Sequence, residues 1–370
     1  MRLRPFSLDL TSPLGTARGE ITEREGFLVG VGSEDGAGNP SEPGLGEAAP
    51  LPGWTESLSA CESALRGVGD EDGGRLADDA LDRFDPSETP AARHGLALAL
   101  ADAAARVEGR SLAGHLAAER GLPAPAETVP VNATVGDGDP EATANAARRA
   151  VDDGFACVKM KVGARSLDAD VERLRAVRDA VGPDVALRAD ANGAWDRPTA
   201  REALDRFAPL GLAYVEQPLP ADDLDGAAAL RSARDGGDDR AGDDADPPVP
   251  IALDESLTHH TLDAVLAADA ADVVVLKPMA LGGPDRALGA AATARAAGVE
   301  PVITTTIDAV VARTAAVHVA AAVPEVAPCG LATASLLGGD LAPDPCPVAD
   351  GEVAVPDGPG LAGDAFDELL

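Results

Sequence analysis

Short apolar runs alternate with helix-like segments through the chain from about residue 129 onward. The runs favour β-structure, and the segments between them are rich in Ala, Arg and Asp. Helices are predicted between the runs, for example at Asp168–Val181, Pro284–Ala297 and Ala309–Val323. The predicted strands are Val129–Val135, Phe155–Val162, Val185–Asn192, Ala213–Leu219, Val249–Ser256, Asp272–Met279, Glu300–Thr306 and Glu325–Leu331.

Strands that alternate with helices form a parallel sheet. Eight such units in succession predict an α/β fold built on a (β/α) barrel, which we assign to residues 126–341. An open doubly wound sheet is the alternative, and it would need a Gly-rich phosphate loop after its first strand. The segment Val135–Pro140 is a poor loop of that kind, so the barrel is favoured.

The first 125 residues have a different pattern. Strand-like stretches at Arg2–Leu10 and Gly26–Gly32 come before helical stretches that include Ala91–Val107. This order predicts a separate α+β capping domain over residues 1–125. The tail 342–370 is rich in Pro, Gly and Asp, and we expect it to complete this domain.

Two segments are expected to be loops. Ser12–Gly19 is expected to be a mobile loop of the capping domain, and its Arg18 is a candidate contact for a substrate carboxylate, with a surface ion pair as the alternative. Asp235–Pro248 is strongly acidic and is expected to be a solvated insertion between the fourth helix and the fifth strand of the barrel. Its carboxylates lack the spacing of an EF-hand calcium loop.

Composition narrows the range of partners. The net charge is −33 and hydrophobic residues make up 45% of the chain, so it can build a core but repels nucleic acid and anionic lipid. We therefore expect neither a nucleic-acid partner nor a membrane partner. The acid-rich, Lys-poor composition resembles proteins of salt-loving cytoplasms, where ions screen self-repulsion. No apolar run of about 18 residues and no apolar signal core occur, which predicts a soluble cytoplasmic protein.

Lysine is rare in this chain. Of the 30 basic residues only Lys159, Lys161 and Lys277 are Lys, and the others are Arg. Arginine serves well in ion pairs, but it cannot act as a proton base because its pKa lies above about 12. Such a chain is expected to keep Lys where a compact, deprotonatable amine is needed. The alternative is that the lysines remain by chance or cover apolar surface with their stems.

Charged side chains stand at the ends of five successive predicted strands, where a (β/α) barrel carries its catalytic groups. The motifs in chain order are K-x-K, D-x-N, E-Q-P, D-E-S and K-P. Residues two apart on a strand face the same way, so the two lysines of K-x-K share a face. The chief residues of these motifs are Lys159, Lys161, Asp190, Glu216, Asp254 and Lys277.

Three carboxylates that converge from adjacent strands repel one another unless a cation lies among them. Oxygen ligands without His or Cys favour Mg²⁺, with Mn²⁺ as a second option. A lysine beside such an ion can remove the proton α to a carboxylate, and a second ammonium can stabilise the resulting enediolate. The sequence therefore predicts a small-molecule carboxylate as substrate. The alternative is that each charge forms only a local ion pair at the barrel rim.

This ordered set of motifs resembles the enolase superfamily, in the subgroup of the muconate lactonizing enzymes, over nearly the whole chain. The resemblance implies a barrel of the modified TIM type with an α+β capping domain. It implies that Lys161 is the base, that Lys159 stabilises the enediolate and that Lys277 faces the substrate from the opposite side. The metal ligands that it implies are Asp190, Glu216 and Asp254, with Asn192 and Glu255 as supporting residues.

Two further stretches resemble the o-succinylbenzoate synthases of this subgroup. They are Gly44–Trp54 in the capping domain (GLGEAAPLPGW) and Cys329–Ser335 at the last strand, although Ala332 departs from the usual pattern. These enzymes dehydrate 2-succinyl-6-hydroxy-2,4-cyclohexadiene-1-carboxylate in menaquinone synthesis. The resemblance implies that Lys161 takes the α-proton and then protonates the departing hydroxide, while Lys277 is a cation–π partner of the ring.

Other members of the subgroup remain open as alternatives. A dipeptide epimerase could use Lys161 and Lys277 on the two faces of the α-carbon, but such enzymes usually carry a D-x-D motif at the last strand. Cys329–Ser335 contains no Asp, which counts against that activity. Muconate cycloisomerase and N-acylamino acid racemase keep the same lysines. A non-catalytic binding protein on this fold would be expected to lose a ligand or the base, and none is missing.

Overall fold

The computed structural model describes residues 1–16, 19–32, 43–69, 79–85, 87–136, 138–235 and 248–369. The described residues of the N-terminal part form an antiparallel sheet of order β1-β2-β3 and the α-helices α1, α2 and α3. Arg18 and the core of the acidic insertion, residues 236–247, lie outside the described residues. The elements of this part are β1 (Arg2–Thr16), β2 (Gly19–Val31), β3 (Gly44–Ala48), α1 (Leu58–Gly69), α2 (Pro90–Glu108) and α3 (Leu112–Glu119).

The first two strands form a long hairpin. Pairing runs from Arg2 opposite Gly30 to Thr16 opposite Gly19, with one irregularity between Asp9 and Leu14. The expectation of a loop over Ser12–Gly19 was therefore wrong for its described residues, because Leu14–Thr16 pair with Gly19–Ile21 and belong to the strands.

Strand β3 packs directly on α2 because it carries glycine at two positions. A Cβ atom on Gly44 would collide with the backbone oxygen of Ala99, and one on Gly46 would collide with that of Gly95. This close approach gives a structural reason for the G-x-G spacing in the capping-domain motif.

The centre of the molecule is a seven-stranded parallel sheet of order β11-β10-β9-β8-β7-β6-β5. Its strands are β5 (Ala133–Val135), β6 (Cys157–Lys161), β7 (Ala186–Asp190), β8 (Tyr214–Glu216), β9 (Ile251–Leu253), β10 (Val273–Leu276) and β11 (Glu300–Ile303). The helices between and after them are α4 (Pro140–Asp152), α5 (Leu167–Val181), α6 (Arg197–Phe207), α7 (Leu224–Asp235), α8 (Leu262–Ala267), α9 (Pro278–Leu281), α10 (Pro284–Ala296) and α11 (Val310–Ala322). The alternation predicted from the sequence is confirmed.

The predicted eighth strand, Glu325–Leu331, is reduced to two bridging residues. Cys329 bridges Val131 beside β5, and Gly330 bridges Thr304 beside β11, so this segment contacts both edges of the curled sheet. Pro328 lacks an N–H group and cannot extend the ladder, which explains the short pairing. A regular strand at this position was therefore not found.

The C-terminal tail contacts both parts of the molecule. Its strand β13 (Glu352–Ala354) pairs antiparallel with β12 (Val348–Ala349) on one side and with β4 (Thr128–Pro130), which precedes the parallel sheet, on the other. Farther along, the Gly360 oxygen accepts a hydrogen bond from the Leu112 N–H of α3. One apolar cluster includes buried residues of the capping helices, the sheet and the tail. Within the described ranges, no helix is both long and apolar enough to cross a bilayer.

Candidate active site

The three lysines stand at the carboxyl end of the parallel sheet. Lys159 and Lys161 are the third and last residues of β6, and their alternate spacing puts both on one face. Lys277 directly follows β10 in extended conformation and occupies the position before the short helix α9. The two lysines of β6 differ in exposure. The side chain of Lys161 is 42% accessible, whereas that of Lys159 is only 18% accessible.

Three carboxylates meet these lysines from the strands in between. Asp190 ends β7 and pairs in register with Glu216, which ends β8. Asp254 directly follows β9. All three are buried. The strand-end rule thus brings together the residues that the sequence predicted to converge.

The ammonium groups pair with the carboxylates. Lys159 Nζ lies 3.0 Å from both Asp190 Oδ2 and Glu216 Oε1, and Lys161 Nζ lies 2.6 Å from Asp190 Oδ2. Lys277 Nζ lies 2.6 Å from both carboxylate oxygens of Asp254. With the oxygens so engaged, no group of three or more His, Cys, Asp or Glu side chains in the described residues has an arrangement ready to hold a metal ion.

The electrostatics of the carboxylates reflect their burial. Burial and the Asp190 charge raise the pKa of Glu216 to about 7. Burial raises the pKa of Asp254 to about 6 in spite of the Lys277 ammonium. Burial acts in the same direction on Asp190, but the Lys159 and Lys161 ammoniums outweigh it and lower its pKa. Two carboxyl groups are therefore difficult to ionise with lysine as their only counter-charge.

The predicted supporting residues also lie at this site. Asn192 Oδ1 accepts a hydrogen bond of 2.9 Å from Lys161 Nζ, and Asn192 Nδ2 donates one of 2.8 Å to Glu255 Oε1. Glu255 Oε2 is buried and has no hydrogen-bond partner among the residues that the structure describes. Asn192 therefore connects Lys161 to a carboxylate that follows β9.

Gln217 is a residue that the sequence reasoning missed. Its Oε1 accepts from the backbone N–H groups of Asp254 and Ser256, each at 3.1 Å, and its Nε2 donates to Ser256 Oγ at 2.8 Å. It adopts φ of 42°, which is unusual for a residue with a side chain. Gln217 thereby fixes the chain that carries Asp254, and its signal was its place within E-Q-P.

Trp54 is the second missed residue. The Lys277 ammonium lies 3.2 Å from the centroid of the Trp54 ring, a cation–π contact between the capping domain and the sheet. Trp54 ends the Gly44–Trp54 stretch, which sequence reasoning had used only as a family signature. The capping domain therefore covers the lysine end of β10 with an aromatic ring.

These features define an α/β protein of the enolase type. Residues 142–368, well over half of the chain, match the family described as enolase C-terminal domain-like. The chain belongs to the enolase superfamily, in the subgroup that resembles muconate lactonizing enzymes, and the membership inferred from the motifs is confirmed.

Similar proteins include several activities of this subgroup. The chain is 42% identical to o-succinylbenzoate synthase of Thermobifida fusca (strain YX), over 62% of this chain and 67% of that protein. It is 30% identical to L-Ala-D/L-Glu epimerase of Bacillus subtilis (strain 168), over 85% of this chain and 82% of that protein. The crystal structure of a dipeptide epimerase from Methylococcus capsulatus, complexed with Mg and the dipeptide L-Arg-D-Lys, matches with a TM-score of 0.78 and 28% identity. That match covers 98% of both chains.

Proposed function

We propose that this chain is a Mg²⁺-dependent enzyme that removes the proton α to a carboxylate, and specifically that it is an o-succinylbenzoate synthase. The observation that carries the proposal is the meeting of three lysines with three buried carboxylates at one edge of the sheet. Lys161 and Lys277 end strands that have three others between them, so they approach a bound acid from different sides. The 42% identity to o-succinylbenzoate synthase supports the particular reaction.

The residues at this edge fit a hard divalent cation. Buried carboxylates from adjacent strands form an all-oxygen donor set. Burial raises the pKa of Glu216 and of Asp254 in spite of the neighbouring lysines, so further positive charge at this edge would favour their ionised forms. Asp190, Glu216 and Asp254 would hold Mg²⁺, with Mn²⁺ as a second option. When bound, the ion would supply positive charge to the substrate carboxylate.

The protein's own residues have distinct roles in this proposal. Lys161 removes the α-proton, and then returns it to the hydroxide that departs from the same face, which gives a syn dehydration. Lys159 stays protonated beside the enediolate and stabilises its charge. Lys277 lies over the substrate ring as a cation. Asn192 and Glu255 hold Lys161 in position through the hydrogen bonds described above.

We also propose that the curled sheet is a closed barrel of the modified TIM type. The bridges of Cys329 and Gly330 to its two edges support closure. In that arrangement residues 126–341 form the barrel, and residues 1–125 with the tail 342–370 form the capping domain.

An ultraviolet assay tests the activity. The chain with Mg²⁺ should convert 2-succinyl-6-hydroxy-2,4-cyclohexadiene-1-carboxylate to the aromatic product, which would place it in menaquinone synthesis. Absence of product, together with fast racemisation of dipeptides or acylamino acids, would contradict the synthase. Absence of any Mg²⁺-dependent exchange of a substrate α-proton with D₂O would instead indicate a binding protein.

A dipeptide epimerase is the second candidate, because two epimerases of this superfamily match over more than four-fifths of the chain. The two reactions differ in what they require of Lys277. A synthase needs only its positive charge, whereas an epimerase needs a base there. Lys277→Arg should therefore retain part of a synthase activity, since guanidinium also stacks on rings, but should abolish epimerisation.

A further inference from the structure

A strained loop follows the last long strand of the sheet. The chain leaves β11 at Ile303, and Ile307 four residues later adopts φ of 61°. A β-branched side chain in this left-handed region is an outlier that neighbouring contacts must hold in place. The loop lies at the carboxyl edge of the sheet, on the same side as the lysines and carboxylates of the candidate site.

Arg24 of the capping domain holds this loop from outside. Arg24 is only 2% exposed. Its guanidinium donates hydrogen bonds to three backbone oxygens. Nε bonds to Ile307 at 3.1 Å, Nη1 to Pro50 at 2.9 Å and Nη2 to Ala49 at 2.7 Å. One guanidinium therefore connects the strained loop to the segment 49–54, which ends at Trp54.

Glu47, two residues before Ala49, makes a second connection between the capping domain and the segment after β11. Helix α11 begins after Ala309, which has no side-chain oxygen to cap the free N–H groups of the first turn. Glu47 supplies the missing cap from the capping domain. It is fully buried, and its Oε1 and Oε2 accept from the N–H groups of Ala309 and Ala312, each at 2.8 Å.

Arg24 and Glu47 therefore connect the same two parts of the chain, the capping-domain segment around residues 47–54 and the segment after β11. Glu47, Ala49, Pro50 and Trp54 follow one another, and Trp54 covers the Lys277 ammonium. On the barrel side, Ile307 and Ala309 are equally close in sequence. Because Arg24 and Glu47 are buried, loss of either side chain would leave the backbone groups that it satisfies without a partner, and the two segments would shift together.

We propose that Arg24 and Glu47 are positioning residues, which hold the loop 304–308 and the segment 49–54 in the geometry that the active site requires. The proposal rests on the proposed function only in treating this edge of the sheet as the active site. Among the described residues, the hydrogen bonds of both side chains go to backbone atoms and not to the lysines. Their effect on the reaction passes through the Trp54 ring on one side and the loop after β11 on the other.

The test compares Arg24→Met and Glu47→Gln with matched controls at the opposite end of the sheet. Arg178 also donates to several backbone oxygens, including those of Val185 and Leu210, so Arg178→Met matches the arginine variant. Asp272 accepts the Ile251 N–H and pairs with Arg231, so Asp272→Asn matches the glutamate variant. All four changes should lower the melting temperature.

Acrylamide quenching of tryptophan fluorescence gives a readout that needs no substrate. The chain has two tryptophans, and Trp195 is buried, so the quenchable emission reports mainly on Trp54. Arg24→Met and Glu47→Gln should raise the quenching constant, and the controls should leave it unchanged. If the positioning variants quench like the wild type and the controls, the proposal is overturned even if the synthase assay succeeds.

Kinetics provide the second readout. The positioning variants should lower kcat/KM by on the order of 100-fold, as expected for a small misplacement of reacting groups, while the controls keep it. Arg24→Lys should not restore kcat/KM, because one ammonium cannot serve three carbonyls.

A double variant covers the case in which Glu47→Gln folds poorly. Glu47→Gln with Ala309→Ser returns a cap to α11 and should recover stability but not the Trp54 signal. Recovery of both would show that Glu47 acts on the helix alone, and would refute its positioning role.

Discussion

Lys159 and Lys161 share one face of β6 but have different surroundings. Burial opposes the charge of Lys159, yet the Glu216 and Asp190 carboxylates outweigh it and raise the lysine pKa well above its usual value. An amine held in this way stays protonated, which suits the stabilisation of negative charge. Lys161 contacts one carboxylate and one amide and is more exposed, which suits a group that exchanges a proton.

Lys161→Arg should abolish turnover while the fold remains. Arginine keeps the positive charge and the ion pair with Asp190, but its pKa above about 12 prevents it from acting as a base. We expect kcat to fall by at least about 1000-fold, within the range of general base catalysis. Circular dichroism and melting temperature should stay close to those of the wild type. Near-normal turnover in this variant would remove Lys161 from the mechanism.

Binding of Mg²⁺ should weaken as the pH falls below 7. The pKa of Glu216 is about 7 and that of Asp254 about 6, so each carboxyl takes up a proton that the metal must displace. The dissociation constant should rise about tenfold per pH unit for each such carboxyl, as measured by titration calorimetry. In Glu216→Gln the affinity should be lower at every pH and the dependence near pH 7 weaker. A pH-independent wild-type affinity would contradict the assignment.

Helix α11 illustrates how one element depends on a distant one. Its first turn is capped by Glu47, more than 260 residues earlier in the chain, and by Asp340, which accepts the Val310 N–H at 2.8 Å. Burial raises the pKa of Glu47 from 4.5 to about 8, and the nearby Asp308 and Asp340 carboxylates add to this effect. Two backbone hydrogen bonds act in the opposite direction.

The sign of the pH effect follows from this shift. The folded protein binds the Glu47 proton more tightly than the unfolded chain, so the contribution to stability is present below pH 4.5 and is lost as the pH rises towards 8. Urea unfolding should therefore show that the stability of the wild type relative to Glu47→Gln falls across this range. Other carboxyl groups are common to both proteins and cancel. A difference that grows with pH would show that the carboxylate is the favoured form.

Element positions were predictable where local pattern and chain geometry agree. The ends of five successive strands could be located because charged residues interrupt their apolar runs, and parallel strands bring those ends to one edge. The strands themselves proved shorter, as when Val249–Ser256 became Ile251–Leu253, because the chain turns into a 3-10 helix directly after Asp254. Arg24 and Glu47 were not predictable, because their partners lie far away in sequence and are backbone atoms, which leave no residue pattern.

The net charge of −33 is the dominant feature of the molecule as a whole. Many carboxylates on one compact body repel one another, and salt shortens the range of this repulsion from about 10 Å at 0.1 M to about 3 Å at 1 M. We expect the melting temperature to rise between low salt and molar KCl. Near the pI of about 4.3 the net charge vanishes, so the same salt step should have a smaller effect there. Full stability in dilute buffer would overturn the expectation.

The confinement of lysine to one edge of the sheet also has a practical consequence. A reagent that acylates primary amines meets, apart from the N-terminus, only the three amines of the candidate site. Mass spectrometry after brief labelling would therefore report the occupancy of that site directly, without engineered probes. A ligand that occupies this site should protect the accessible Lys161 first, and the order of protection would map how the ligand lies.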